Sequence, residues 1–131
     1  GEKEDGEEEK ETPEDQPDVQ ELLASISTPV SVLNGAGVSG LGKKAATTLQ
    51  KIGIDIVHVG NAKHFDYQYT SIHVPDKGSE SVQRTARAMG EITGIDKRLI
   101  TRSSAVPHVT IIIGKDRERI LKRIEGFAGS R

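Results

Sequence analysis

Apolar positions along this chain follow two rhythms, one close to helical and one of short continuous or alternating runs, and the switches between them outline the elements. The first periodic segment follows Asp18. Val19, Leu22, Leu23 and Ile26 share a helical face behind that capping aspartate, and Thr28 and Pro29 end it. Val30 to Asn34 reads as a strand. From about Ser39 to Ile52, Leu41, Ala45, Leu49 and Ile52 recur at helical spacing, with Gly53 as the stop. A second strand spans Ile54 to Val59, a loop runs from Asn61 to Gln68, and a third strand spans Tyr69 to Val74 before Pro75. Ser79 or Ser81 caps a helix to about Thr93, with Val82, Ala86, Met89 and Ile92 inward and Gly94 after it. Leu99 to Thr101 is a short extra strand. The most apolar run, Val109 to Ile113, suits a central strand buried on both faces. A last amphipathic helix, about Arg117 to Phe127, presents Ile120, Leu121, Ile124 and Phe127.

The core order is therefore strand, helix, strand, strand, helix, strand. This βαββαβ pattern predicts an α+β two-layer sandwich with helices on one face of a small mixed or antiparallel sheet, followed by a C-terminal helix. The two units share this order but no sequence repeat. A length of 131 residues allows one domain, and 34% hydrophobic with 3% aromatic residues implies a small aliphatic core. Cysteine is absent, which excludes disulfides and thiolate metal sites. No run approaches the roughly 18 apolar residues of a membrane span. Gly1 opening directly onto a charge run points to an upstream signal or anchor that has been removed, the only route by which this domain would meet a membrane.

Charge divides the chain. Residues 1–18 hold ten Asp or Glu against two Lys, a net of −8, while residues 19–131 hold sixteen Lys or Arg against ten Asp or Glu, a net of +6. Residues 1–27 read as an acidic disordered leader carrying the short helix at 18–27, because the acidic stretch lacks the apolar surface to offset ordering entropy. Residues 28–131 form the folded domain. The leader is either a solvated spacer or an intramolecular competitor for an anionic ligand of the basic domain.

The run Val30 to Gly42 contains a G-x-G-x-x-G at Gly35, Gly37 and Gly40. A dinucleotide site also needs a carboxylate about 20 residues on, at the far end of the second strand, to hold the ribose. That end reads Val59, Gly60, Asn61; Asp55 lies at the start of the strand, at the wrong end. Two readings of the turn remain. In one, Gly35 and Gly37 supply positive φ and close backbone approach, Gly40 lets the helix pack on the strand, and Asn34 bonds its own turn. In the other, helix-start amides with Ser39, Lys43 and Lys44 hold a phosphate or carboxylate, worth about 0.3–1 kcal/mol per exposed contact.

Phe65, Tyr67 and Tyr69 alternate, so an extended segment would place them on one side, either covering the sheet edge or stacking on a sugar or peptide. Nucleic acid fits poorly, because positive charge is spread over helices and not interleaved with rings. His58, His64, His73 and His108 have irregular spacing beside no acid cluster, which argues against a metal site. No serine sits on a nucleophile elbow, His64 and Asp66 share a loop without a pocket, and no catalytic residue is assigned. No cofactor is implied. Arg84, Arg87, Lys97, Arg98 and Arg102 gather around the second crossover helix and its exit, as a solvated face or as a dock for an anionic polymer.

One series of residues carries a resemblance: Val32, Leu33, Asn34, Gly35, Gly37, Val38, Gly40, Leu41, then Ala45, Leu49, Gly53, Val57, Asn61, Ala62, Phe65, Asp66, Tyr67 and Thr70. It resembles the LytR C-terminal domain over about residues 29–114, while residues 100–108 follow no pattern of that family. The resemblance implies a bacterial, extracytoplasmic setting. The catalytic domain to which this module is often attached transfers lipid-linked glycopolymers to peptidoglycan, but its arginine and aspartate phosphate-binding motifs are absent here. Together these features lead to a non-catalytic envelope accessory domain that binds an envelope polymer or a protein partner. Two alternatives stay open: a glycan-strand-binding module of the sporulation-related-repeat type, with a sheet-face groove, and a small phosphate- or nucleotide-binding protein that uses the glycine turn.

Overall fold

In the computed structural model, which describes residues 18–129, Asp18 caps the first helix by accepting a hydrogen bond from the Gln20 amide at 2.8 Å. The elements in order are α1 (Val19–Ser25), β1 (Val30–Asn34), α2 (Leu41–Gln50), β2 (Ile56–Asn61), β3 (Ser71–Pro75), α3 (Glu80–Thr93), a 3-10 turn (Lys97–Leu99), β4 (Ile100–Ser103), β5 (Val109–Ile113) and α4 (Arg117–Ala128). The acidic leader expected over the first residues lies outside the described residues.

One mixed sheet has the order β2-β1-β5-β3-β4. β1 runs parallel to both β2 and β5, β3 runs parallel to β4, and β3 meets β5 antiparallel. All five residues of β5 are buried, as the apolar run predicts. Alternation sends Val30, Val32, Ile72, Val74, Val109, Ile111 and Ile113 to one face, where they form a single cluster with Leu49, Met89, Ile92, Ile120 and Ile124 of the helices. α2, α3 and α4 thus share that face. On the other, paired positions place Ser31, Thr110 and His73 in one row and Leu33 and Ile112 in the next, with no helix over them.

Several boundaries differ from the sequence expectation, each for a local reason. α2 starts at Leu41 and not near Ser39, because Gly40 stands at φ 77°, outside the helical region. β2 begins at Ile56, since Ile54 is spent on the core before the chain reaches the sheet edge. β3 begins at Ser71, because Thr70 is held out of the ladder by Asp116. The short extra strand is a full edge strand, β4, and completes the crossover β3-α3-β4; β5 inserts as an additional central strand.

Thr85 joins the first helix to the domain. Its fully buried hydroxyl donates to the Ser25 carbonyl at 3.4 Å and accepts from the Ser27 amide at 3.3 Å and the Thr28 hydroxyl at 3.0 Å. Valine has nearly the same shape but removes all three bonds, leaving polar groups unpaired in a part-buried seam. Thr85→Val is expected to lower stability by about 1–3 kcal/mol in urea unfolding, whereas Thr85→Ser, which keeps the hydroxyl, loses less.

Candidate functional site

The glycine corner lies where β1, β2 and β5 all end, the position at which open α/β sheets receive ligands. Most of the turn's own amides are already paired. The Asn34 Oδ1 accepts from the amides of Ala36 and Gly37, both at 3.0 Å, and its Nδ2 donates to the Val38 carbonyl at 2.8 Å. The Gly35 amide donates to the Ile113 carbonyl at 2.8 Å, and the Leu41 amide donates to the Val38 carbonyl at 3.1 Å. Helix α2 has no side-chain cap; Ser39, Lys43 and Lys44 stand exposed around its start.

The glycines divide their work differently from the sequence reading. Positive φ occurs at Gly37 (71°) and Gly40 (77°), not at Gly35. Gly35 is required by crowding: a Cβ there would sit 2.7 Å from Ile112 Cγ2 and 2.9 Å from Tyr67 Cδ1. The close helix-to-strand approach assigned to Gly40 is made by Gly42, whose Cβ would lie 3.1 Å from Val59 Cγ1.

The aromatic segment closes this end of the sheet. Residues 62–70 must pass from the edge strand β2 to β3 over the ends of β1 and β5. They are tied to both. The Ala62 amide donates to the Asn34 carbonyl at 2.9 Å, the Tyr67 amide to the Gly35 carbonyl at 3.2 Å, and the Lys115 amide to the Tyr67 carbonyl at 2.8 Å. Thr70 donates from its amide and hydroxyl to Asp116 Oδ1 at 2.9 and 2.7 Å and accepts from the Gly114 amide at 3.0 Å. The rings do not line up on one side, because the segment is not a strand. Phe65 lies against Gly37, Tyr67 lies against Gly35 and stacks on His64 with centroids 4.4 Å apart, and Tyr69 is 62% exposed. Asp55, the carboxylate nearest in sequence to a ribose ligand, lies at the opposite end of β1, where its backbone carbonyl accepts from the Val30 amide.

A different surface collects charge around an apolar floor. An open groove of about 750 Å³ is bounded by α1, α3, the 3-10 turn and α4. Leu22, Ala88, Ile95 and Ile100 line its base, and Arg84, Arg87, Lys97 and Arg123 surround it, with Glu91 as the sole carboxylate in the lining. Arg123 donates to the Glu91 carbonyl at 3.0 Å and lies over Gly94, where a Cβ would meet its Cδ at 2.6 Å. Arg84 has Glu80 at 3.9 Å. Among the described residues the Arg87 and Lys97 side chains have no hydrogen-bond or ion-pair partner. Arg98 is held by Asp96 at 3.0 Å, which keeps that carboxyl below its ordinary range, and Arg102 stands on the edge strand β4; neither lines the groove. Arg123 escaped the sequence reading because its neighbours Ile120 and Ile124 mark the helix as core-facing, and only the α3–α4 packing brings it to α3.

On the helix-free face a cleft of about 590 Å³ is lined by Ser31, Val57, His58, Asn61, His108 and Thr110 among others, with no phenyl or phenol ring. His73 lies on the same face beside the Ser71 hydroxyl at 3.2 Å, and burial lowers its pKa from the ordinary value. Among the described residues no three His, Asp or Glu side chains converge on a common point.

Removing the Asn34 side chain breaks three bonds worth about 0.5–1.5 kcal/mol each. Asn34→Ala is therefore expected to destabilise the fold by about 1.5–4.5 kcal/mol in chemical denaturation, and Asn34→Asp, which retains the acceptor but faces the Val38 carbonyl with a carboxylate, to lie between.

Residues 27–116 match the family model described as LytR cell envelope-related transcriptional attenuator. No curated protein and no solved structure matches the chain. The match takes in the glycine corner, the aromatic loop, the whole of α3 and the strands up to Asp116, more than half of the chain, and the protein therefore belongs to the LytR C-terminal domain family.

Proposed function

We propose that this chain is a non-catalytic extracytoplasmic accessory domain that holds an anionic cell-envelope polymer in the groove between α1, α3 and α4. Family membership supports an envelope role. The observation that carries the binding reading is the convergence of Arg84, Arg87, Lys97 and Arg123 on one apolar-floored groove against the single carboxylate of Glu91. Guanidinium groups suit phosphodiester and carboxylate oxygens, and the floor gives the polymer's carbon backbone a dry contact. No helix among the described residues is long and apolar enough to cross a membrane.

The phosphate or nucleotide reading of the glycine turn is the weaker one, because the amides of Gly35, Ala36, Gly37 and Leu41 already donate within the corner. The glycan-strand reading has the sheet-face cleft in its favour but lacks the aromatic platform it calls for, since Phe65, Tyr67 and Tyr69 lie away from that cleft.

Retention of the full chain on an immobilised polyphosphate matrix and on a polyuronate matrix, measured against salt, tests the groove. Binding falls as salt rises, since exposed charges are screened beyond about 10 Å at 0.1 M. Arg87→Gln with Lys97→Gln weakens it by about tenfold, two exposed contacts of roughly 0.7 kcal/mol each, while Arg102→Gln leaves it unchanged. Salt-independent retention, or equal loss in the Arg102 variant, contradicts the reading.

A further inference from the structure

The groove that collects cations is also where the chain enters the domain. Leu22 lies in its lining, and the Leu22 amide donates to the Asp18 carbonyl at 3.0 Å. Asp18, which joins residues 1–17 to α1, therefore stands one helical turn, about 6 Å, from the groove floor. The other end of α1 is fixed on α3, where the Ser25 carbonyl and the Ser27 amide bond Thr85. With α1 forming one wall, the chain ahead of it is delivered beside the groove.

That chain is acidic. Residues 1–17 hold nine Asp or Glu against two Lys, a net of −7, and Glu7, Glu8, Glu9 and Glu11 stand close together. The groove presents the complementary set, Arg84, Arg87, Lys97 and Arg123 against Glu91. Little within the domain competes for these cations. The Arg87 and Lys97 side chains have no partner among the described residues, the Arg84–Glu80 pair is long at 3.9 Å and exposed on both sides, and Arg123 bonds a backbone carbonyl, not a carboxylate. Reach suffices as well. Glu11 lies seven residues before Asp18, about 23 Å of extended chain at roughly 3.3 Å per residue, against about 14 Å along α3 from Arg84 to Thr93. A segment tethered this closely is present at an effective concentration on the order of 1 mM, so contacts that would be negligible between separate molecules become populated.

We infer that the acidic segment around Glu7 to Glu11 folds back onto this groove and occupies it in place of an external polyanion, an autoinhibitory contact within one chain. It rests on the groove assigned above to the polymer, because its carboxylates meet the same guanidinium and ammonium groups. A polymer then binds by displacing the segment, and its apparent affinity is the intrinsic one reduced by the fraction of time the groove is free. Exposed pairs of this kind are screened, so salt releases the segment.

The chain has no cysteine, so Gly6→Cys gives the full chain a single thiol for a nitroxide label and leaves the acidic residues in place. Expected at low salt is paramagnetic broadening of the Arg87, Gly94, Lys97 and Arg123 amides, removed by high salt and by Arg87→Gln with Lys97→Gln, with the Val57 and Val59 amides unaffected. Neutralising the segment in the full chain by Glu7→Gln, Glu8→Gln, Glu9→Gln and Glu11→Gln abolishes the broadening and tightens inorganic polyphosphate binding about threefold, the factor for a groove occupied about two-thirds of the time. Broadening that fades only with sequence distance from Asp18 and ignores salt and these substitutions overturns the inference. So does broadening passed equally from a nitroxide-labelled chain to a separate isotopically labelled one, which makes the contact a meeting of two copies. Groove broadening with polyphosphate bound by neither form sinks the polymer reading and supports this contact; polyphosphate binding without groove broadening does the reverse.

Discussion

The arrangement of this domain depends on how its parallel strand ends are closed. Three strands finish side by side at Asn34, Asn61 and Ile113, leaving carbonyls and turn amides that need partners. The Asn34 side chain satisfies two of those amides and a carbonyl, and the returning segment 62–70 bonds the Asn34 and Gly35 carbonyls and the turn after β5. A site that would be a ligand crevice in a larger α/β protein is therefore occupied by the chain's own backbone. Gly35 has to be glycine because Tyr67 and Ile112 fill the space where its side chain would be.

Closing that end shifts the surfaces left for binding. The helix layer leaves a groove beside α3, because α1 is short and α4 crosses from the other side, and long cationic side chains reach into it over small and aliphatic floor residues. Helices and sheet thus put structural work at the glycine corner and charge at the opposite layer. The sheet's flanks divide again, with Arg102 guarding one edge and an uncharged strand forming the other.

Much of this was legible in the residues. The 3.6-residue spacing in α2 and α3, Gly53 and Gly94 as helix stops, and the continuous apolar run of β5 announced the two-layer α+β order and its central strand. The strand boundaries near the loop were harder, because Thr70 extends the β-like pattern of residues 69–74 and only a residue 46 positions away, Asp116, removes it from the ladder. The role of each glycine was also hidden: φ depends on the turn actually made, and crowding on partners distant in sequence such as Ile112. Asn34 was readable as a turn residue, while the groove was only half visible. Arg84 and Arg87 share a helix face in the sequence, but Arg123 joins them through tertiary packing that periodicity does not encode.

Amide chemical shifts of the isotopically labelled full chain, followed as inorganic polyphosphate is added, discriminate most directly between a self-satisfied corner and a ligand-binding one. The account predicts shifts concentrated on Arg84, Arg87, Gly90, Gly94, Lys97 and Arg123, with Gly35, Ala36 and Gly37 unmoved. Saturable shifts centred on Ala36 and Gly37 instead, with the α3 side silent, would contradict it.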